Sequence, residues 1–106
     1  MLDKKFDDNA IRAIIDASLI YMCACPAQVA KAVLDMRQLY NYQQDCLSNS
    51  PLNTEVHELI ADTVRENHQQ MEATLDRILT IEGWNRETLE MPEGLRQLRE
   101  KILTEM

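Results

Sequence analysis

Two cysteines stand one residue apart, against a proline, in Tyr21-Met-Cys-Ala-Cys-Pro-Ala-Gln28. Thiol chemistry needs a thiolate, and a helix N-terminus favours one because the positive end of the helix dipole stabilises negative charge. Pro26 suits the first turn of a helix, where its missing N–H would have no partner. The residue before a proline is pushed out of helical geometry. Cys25 is therefore expected near the N-cap of one helix, and Cys23 in the last turn of the helix before it. That makes Cys23 and Cys25 a candidate thiol site, redox-active or metal-binding. The spacing argues against it: redox motifs and structural zinc sites usually put two residues between the cysteines, and a closed zinc site takes four ligands. Cys46, the remaining cysteine, cannot complete the set. Along an unbroken helix it would lie ~31 Å from Cys25, too far for a shared metal or a disulfide within one chain. The simpler expectation is a helix corner, with the thiols acting as small apolar residues.

The other candidates are equally sparse. His57 and His68 fall on one side of a single helix but are separated along its axis by ~16 Å, so they cannot share an ion. Helical metal pairs stand three or four residues apart. Carboxylate-bridged di-iron bundles use Glu-x-x-His, whereas this chain has Glu55-Val-His57 and Glu66-Asn-His68. Asp16 lies in an otherwise apolar segment and is expected to pair with Arg12, one turn earlier. The roles of Asp16, His57 and His68 stay open. There is no phosphate loop, nucleophile elbow or glycine-rich fingerprint. No cofactor or metal is expected.

Composition narrows the class. The 106 residues fit one domain, 1–106, and include only two glycines and three prolines, too few turn formers for a β-rich fold. Net charge is −7, and the eleven basic residues are scattered rather than gathered on one face. Nucleic-acid binding needs a basic patch, and anionic membranes attract one too, so neither partner is expected. The apolar stretch from Ala10 to Cys25 is broken by Arg12 and Asp16, which suits neither a membrane span nor a signal peptide. The cysteine count is odd and no disulfide staple is needed, which points to a reducing cytoplasm.

The elements that would position these residues are helices. Apolar spacing predicts a first helix over about Asp7 to Ala24, with Ile11, Ile14, Ile15, Ser18, Leu19 and Met22 inward. A second is expected from Pro26 to about Leu47, with Val29, Ala32, Val33, Met36, Leu39, Tyr40, Gln43 and Leu47 inward and Ala30 and Leu34 on the opposite side. Ser48-Asn-Ser-Pro-Leu-Asn53 reads as a loop. A third helix, Thr54 to Glu82, carries Val56, Ile60, Thr63, Val64, Asn67, Met71, Thr74, Leu75 and Ile78 inward, and stops at Gly83. A short fourth is expected after Gly94, with Leu95, Leu98, Ile102 and Met106 inward. Gln43 and Asn67, polar within inward stripes, are candidates for fixing register or oligomer state.

Three long helices and a short fourth, joined by short connections, make an all-α, up-and-down antiparallel bundle. The first two helices carry surplus apolar surface, so the bundle is expected to be completed by dimerisation. Ile20, Leu34 and Tyr42 are the candidate partner or oligomer surface. The function expected is protein–protein interaction, as an adaptor module without catalysis. The alternatives are the Cys23/Cys25 thiol site and a small apolar ligand held between helices.

Overall fold

The computed structural model describes residues 2–18, 25–49 and 52–90, and within them the only regular elements are helices. They are α1 (Asp8–Ser18), α2 (Cys25–Asn49) and α3 (Thr54–Glu82). The predicted fourth helix, Leu95 to Met106, lies outside the described residues. So do Leu19 to Ala24, and with them Ile20, Cys23 and the predicted end of the first helix.

Each boundary has a local cause. The Asp7 side chain accepts the Ala10 N–H at 2.7 Å, the N-cap bond expected of an aspartate there. At the end of α3, Gly83 adopts φ 78°, ψ 32°. Its N–H reaches Thr80 O at 3.1 Å, and Trp84 N–H reaches Leu79 O at 2.9 Å. That pair of bonds is a Schellman stop, and it needs a residue without a Cβ at the left-handed position. Asn85 then closes a tight turn, its Oδ1 accepting the Glu87 and Thr88 N–H groups.

α2 is the central element and packs against both α1 and α3. Arg37 meets His68, and Gln43 meets His57, so α2 and α3 run antiparallel. The core has two clusters. Phe6, Ile11, Ile14, Ala30, Val33, Leu75, Leu79 and Trp84 form the larger. Leu2, Tyr40, Ala61 and Val64 form the smaller, backed by Met36 and Ile60. Residues 2–7 form a strap that runs into α1 and buries Leu2 and Phe6.

The buried rows of α2 and α3 are rotated from the predicted ones. On α2 the buried line is Pro26, Ala30, Val33, Arg37 and Tyr40, while Leu39 is exposed. Ala30 and Leu34, expected on the far side, pack toward α1, Ala30 fully buried and Leu34 half-buried against the larger cluster. On α3 the buried line is Ala61, Val64, His68, Glu72, Leu75 and Leu79, and Val56, Thr63, Asn67 and Thr74 are exposed. The rotation has one cause: α1 and the strap cover a single flank of the α2–α3 hairpin, which turns small and polar residues inward on that side. Asn67 is therefore solvent-facing, whereas Gln43 is buried as expected.

Candidate functional site

The centre of the hairpin holds a buried polar network. Arg37 is 4% exposed, Glu72 3% and His68 1%. Charged groups this deep are stable only when paired and hydrogen-bonded. Arg37 meets that condition through four acceptors. Its Nε–H donates to His68 Nε2 at 3.0 Å. Its Nη1 donates to Asp8 Oδ1, and its Nη2 donates to Phe6 O at 2.6 Å and Glu72 Oε2 at 2.9 Å. Glu72 Oε2 also accepts the Lys5 and Phe6 backbone N–H groups, both at 2.9 Å. One guanidinium and one carboxylate thus tie the strap and α1 to the hairpin.

The geometry fixes the state of His68. Its Nε2 accepts from Arg37, so it carries no proton, and Nδ1–H faces Glu72 Oε1 at 3.6 Å. Burial holds the imidazole pKa below its usual 6.5, and the Arg37 and Lys4 charges add to that. Glu72 acts in the opposite sense. Asp8 is held below the usual carboxylate range chiefly by its hydrogen bond with Arg37. This constellation has acids, a base and a cation, and its bonds join the strap, α1, α2 and α3. Each member is bonded to another. A cleft lined by Leu2, Lys4, Arg37, Tyr40, Asn41 and Gln44 opens beside it. Its buried cation is already committed to protein acceptors.

A second site is an apolar surface. Six large hydrophobic side chains are exposed among the described residues: Leu39, Tyr42, Leu52, Val56, Leu59 and Ile81. All but Ile81 sit at the loop end of the hairpin, on the last turns of α2, in the connection at Leu52, or at the start of α3. Leu39, Val56 and Leu59 also share a flank. Counting ~100° per residue from Val64, Glu72 lies roughly 80° to one side, whereas Val56, Leu59 and Thr63 lie roughly 80–140° to the other. Counting from Tyr40, Arg37 lies roughly 60° to one side and Leu39 roughly 100° to the other. Glu72 and Arg37 face the strap, so this apolar row faces away from it.

Glu55, Asp62 and Glu66 on α3 are exposed beside that row. Glu55, Asp62 and Glu66 stand four residues before, three after and seven after Leu59, on its own edge of the helix. The one exposed cation between Leu34 and Asn67 is Arg65, bonded to Asp62 at 3.0 Å and lying over the Tyr40 ring at 5.7 Å.

The residues singled out by sequence fall as follows. Cys25 opens α2 and is exposed, and Cys46 is half-buried near the other end of the same unbroken helix. The two are therefore kept apart, as the helical distance requires. Cys23 and Ile20 lie outside the described residues. Tyr42 is 64% exposed and belongs to the apolar surface. Leu34 packs on the core instead. His57 is half-buried, its Nδ1–H donating to Gln43 Oε1 at 2.6 Å. His68 lies at the centre of the buried line of α3. Arg12 and Asp16 are exposed and form no ion pair with one another. No group of three or more metal-ligating side chains is assembled among the described residues, and no helix there is long and apolar enough to cross a membrane.

Sequence reasoning missed Arg37 and Glu72, although a signal was present. Arg37 continues the 26, 30, 33, 40 series on α2, and Glu72 stands one turn after His68 on α3. Comparison with protein-family models, curated proteins and solved structures finds no match to this chain.

Proposed function

We propose that this chain is a protein–protein interaction module without catalytic activity, and that it binds through the outer flank at the loop end of the α2–α3 hairpin. The observation that supports this reading is the exposure of Leu39, Tyr42, Leu52, Val56 and Leu59 at the loop end of the hairpin, with Leu39, Val56 and Leu59 turned away from the strap. Single exposed hydrophobics are ordinary, whereas several gathered at one end of a hairpin are a usual mark of an interaction site. Tyr42 is the anchor type that interfaces favour. The buried network fits the same role, because it fixes the strap on one flank and leaves the other uncovered. The expected association of two copies is one way to use that flank.

The test is a photo-activated crosslinker placed at Leu59 and, as a control, at Ala73, an exposed α3 position outside the apolar row. Both chains are expressed in the cells they come from. Discrete adducts at position 59 and none at 73 are expected. Equal adducts at both positions, or none at either, would remove the assignment.

A further inference from the structure

Three backbone groups hold the strap, and all three end on two side chains. Lys5 N–H and Phe6 N–H donate to Glu72 Oε2, and Phe6 O accepts from Arg37 Nη2. Among the described residues, the backbone of residues 2–6 makes no other hydrogen bond. The strap's ion pairs, Lys4 with Asp8 at 3.6 Å and Lys5 with Asp76 at 3.8 Å, add little, because solvent screens pairs this exposed. Burial of Leu2 and Phe6 supplies the rest.

Both holding side chains meet one imidazole. His68 Nε2 accepts from Arg37 Nε at 3.0 Å, and its Nδ1 faces Glu72 Oε1 at 3.6 Å. Four charges stand around this group, one from each element. Lys4 on the strap and Arg37 on α2 are the cations, and Asp8 on α1 and Glu72 on α3 are the carboxylates. They balance while His68 is neutral. Asp3 and Lys5, further along the strap's outer side, share a surface cleft with Glu72.

A proton on Nε2 changes two things at once. Nε2–H and Arg37 Nε–H are then both donors, so the bond between them becomes a contact of two cations. The imidazolium Nδ1–H also pulls harder on Glu72, the acceptor of both strap N–H groups. The rest of the molecule does not hang on these bonds. Ile11 and Ile14 on α1, Ala30 and Val33 on α2, and Leu75 and Leu79 on α3 are fully buried against one another in the larger cluster. Asp7 belongs to α1, since its side chain accepts the Ala10 N–H and its carbonyl accepts the Ile11 N–H. The hinge therefore falls between Phe6 and Asp7.

We propose that residues 2–6 are a proton-operated latch: a proton on His68 displaces Arg37 and releases the strap, while α1, α2 and α3 stay assembled. Release bares the residues that Leu2 and Phe6 cover, Tyr40 and Val64 at one end and Leu79 and Trp84 at the other. The closed form disfavours the proton, because burial holds the imidazole below its usual 6.5. Once the strap has left, the imidazole meets water and takes a proton near that usual value, so falling pH favours the open form. The latch lies on the flank opposite Val56 and Leu59 and is independent of the interaction reading.

The test is amide hydrogen exchange of the full chain, read residue by residue by NMR between about pH 7.5 and about pH 5.5 and corrected for the intrinsic rate at each pH. Uptake of one proton with an open-form pKa near 6.5 should lower the protection of the Lys5 and Phe6 amides by up to about tenfold over this range. At every pH these two amides should stay at least about tenfold less protected than those of Val64 and Leu75, the mark of an opening smaller than global unfolding. In His68→Gln, which still accepts from Arg37 but does not titrate, strap protection should be flat across the range. Strap amides that share the protection of Val64 and Leu75, a change below about twofold, or an equal pH dependence in His68→Gln would each overturn the latch. Should that variant not fold, the wild type decides. A fall in protection that begins near pH 6.5 supports the latch, and one that arrives only below about pH 5 assigns release to carboxylates and overturns it.

Discussion

Mild acid should destabilise the fold through one residue. His68 accepts the Arg37 Nε–H with an unprotonated Nε2, and burial holds its pKa below the usual 6.5. In the unfolded chain the same imidazole takes up a proton near pH 6.5. Between that value and the lower folded one, the unfolded state holds one more proton, so stability rises with pH. The contribution is fully present above pH 6.5 and is lost progressively as pH falls toward the folded value. At its steepest the loss is ~1.4 kcal/mol per pH unit for one proton. Moving from about pH 7.5 to about 5.5 should therefore cost up to about 1.4 kcal/mol, equivalent to a drop in Tm of roughly 5–10 °C for a domain of this size. Asp8 and Asp76 are also held below the usual carboxylate range, each first by its hydrogen bond with an arginine, but they act below about pH 4 and stay out of this window. The assay is thermal unfolding by circular dichroism across that range, for the wild type and for His68→Gln. Gln can still accept from Arg37 but does not titrate, so its profile should be flatter. A wild-type Tm that is flat or rises on acidification would refute the reasoning, as would an equal slope in His68→Gln.

Four further outcomes follow from the same structure. Glu72→Leu should cost about 3–5 kcal/mol in denaturant unfolding, because Arg37 loses its buried counter-charge and the Lys5 and Phe6 N–H groups lose their acceptor; a loss below 1 kcal/mol would show the pair is not buried. The double change Arg37→Met with Glu72→Met should cost less than the two single losses added together, since no unpaired charge remains. Gly83→Ala should cost about 1 kcal/mol, because the left-handed conformation at that stop suits glycine. In a timed alkylation read by mass spectrometry, Cys25 should react before the half-buried Cys46, and the reverse order would place Cys25 under cover.

Much of the architecture was legible. Asp7 as a cap, Gly83 as a stop and an unbroken second helix follow from local chemistry, and they separate Cys25 from Cys46. The facing of α2 and α3 was not legible. Met36 and Leu39 are more apolar than Ala30 and Arg37, so ranking by hydrophobicity turned the stripe toward them. On α3, Val56 drew the stripe away from Glu72 for the same reason. The deciding fact is tertiary: a guanidinium can be buried once Asp8, Glu72, His68 and Phe6 O converge on it, and nothing local announces that convergence. Tyr42, singled out by sequence, is exposed. Leu52, Val56 and Leu59 emerged as exposed only when the covered flank was known.

The central claim is that the flank carrying Val56 and Leu59 is surplus to the fold of the single chain. Urea unfolding of the Val56→Asp, Leu59→Asp double variant tests it most directly. Exposed substitutions away from core and network usually change stability by no more than about 0.5 kcal/mol each, so the variant should unfold within about 1 kcal/mol of the wild type. A loss of several kcal/mol would mean that the flank is packed within the isolated chain and is core, not a surface kept for a partner.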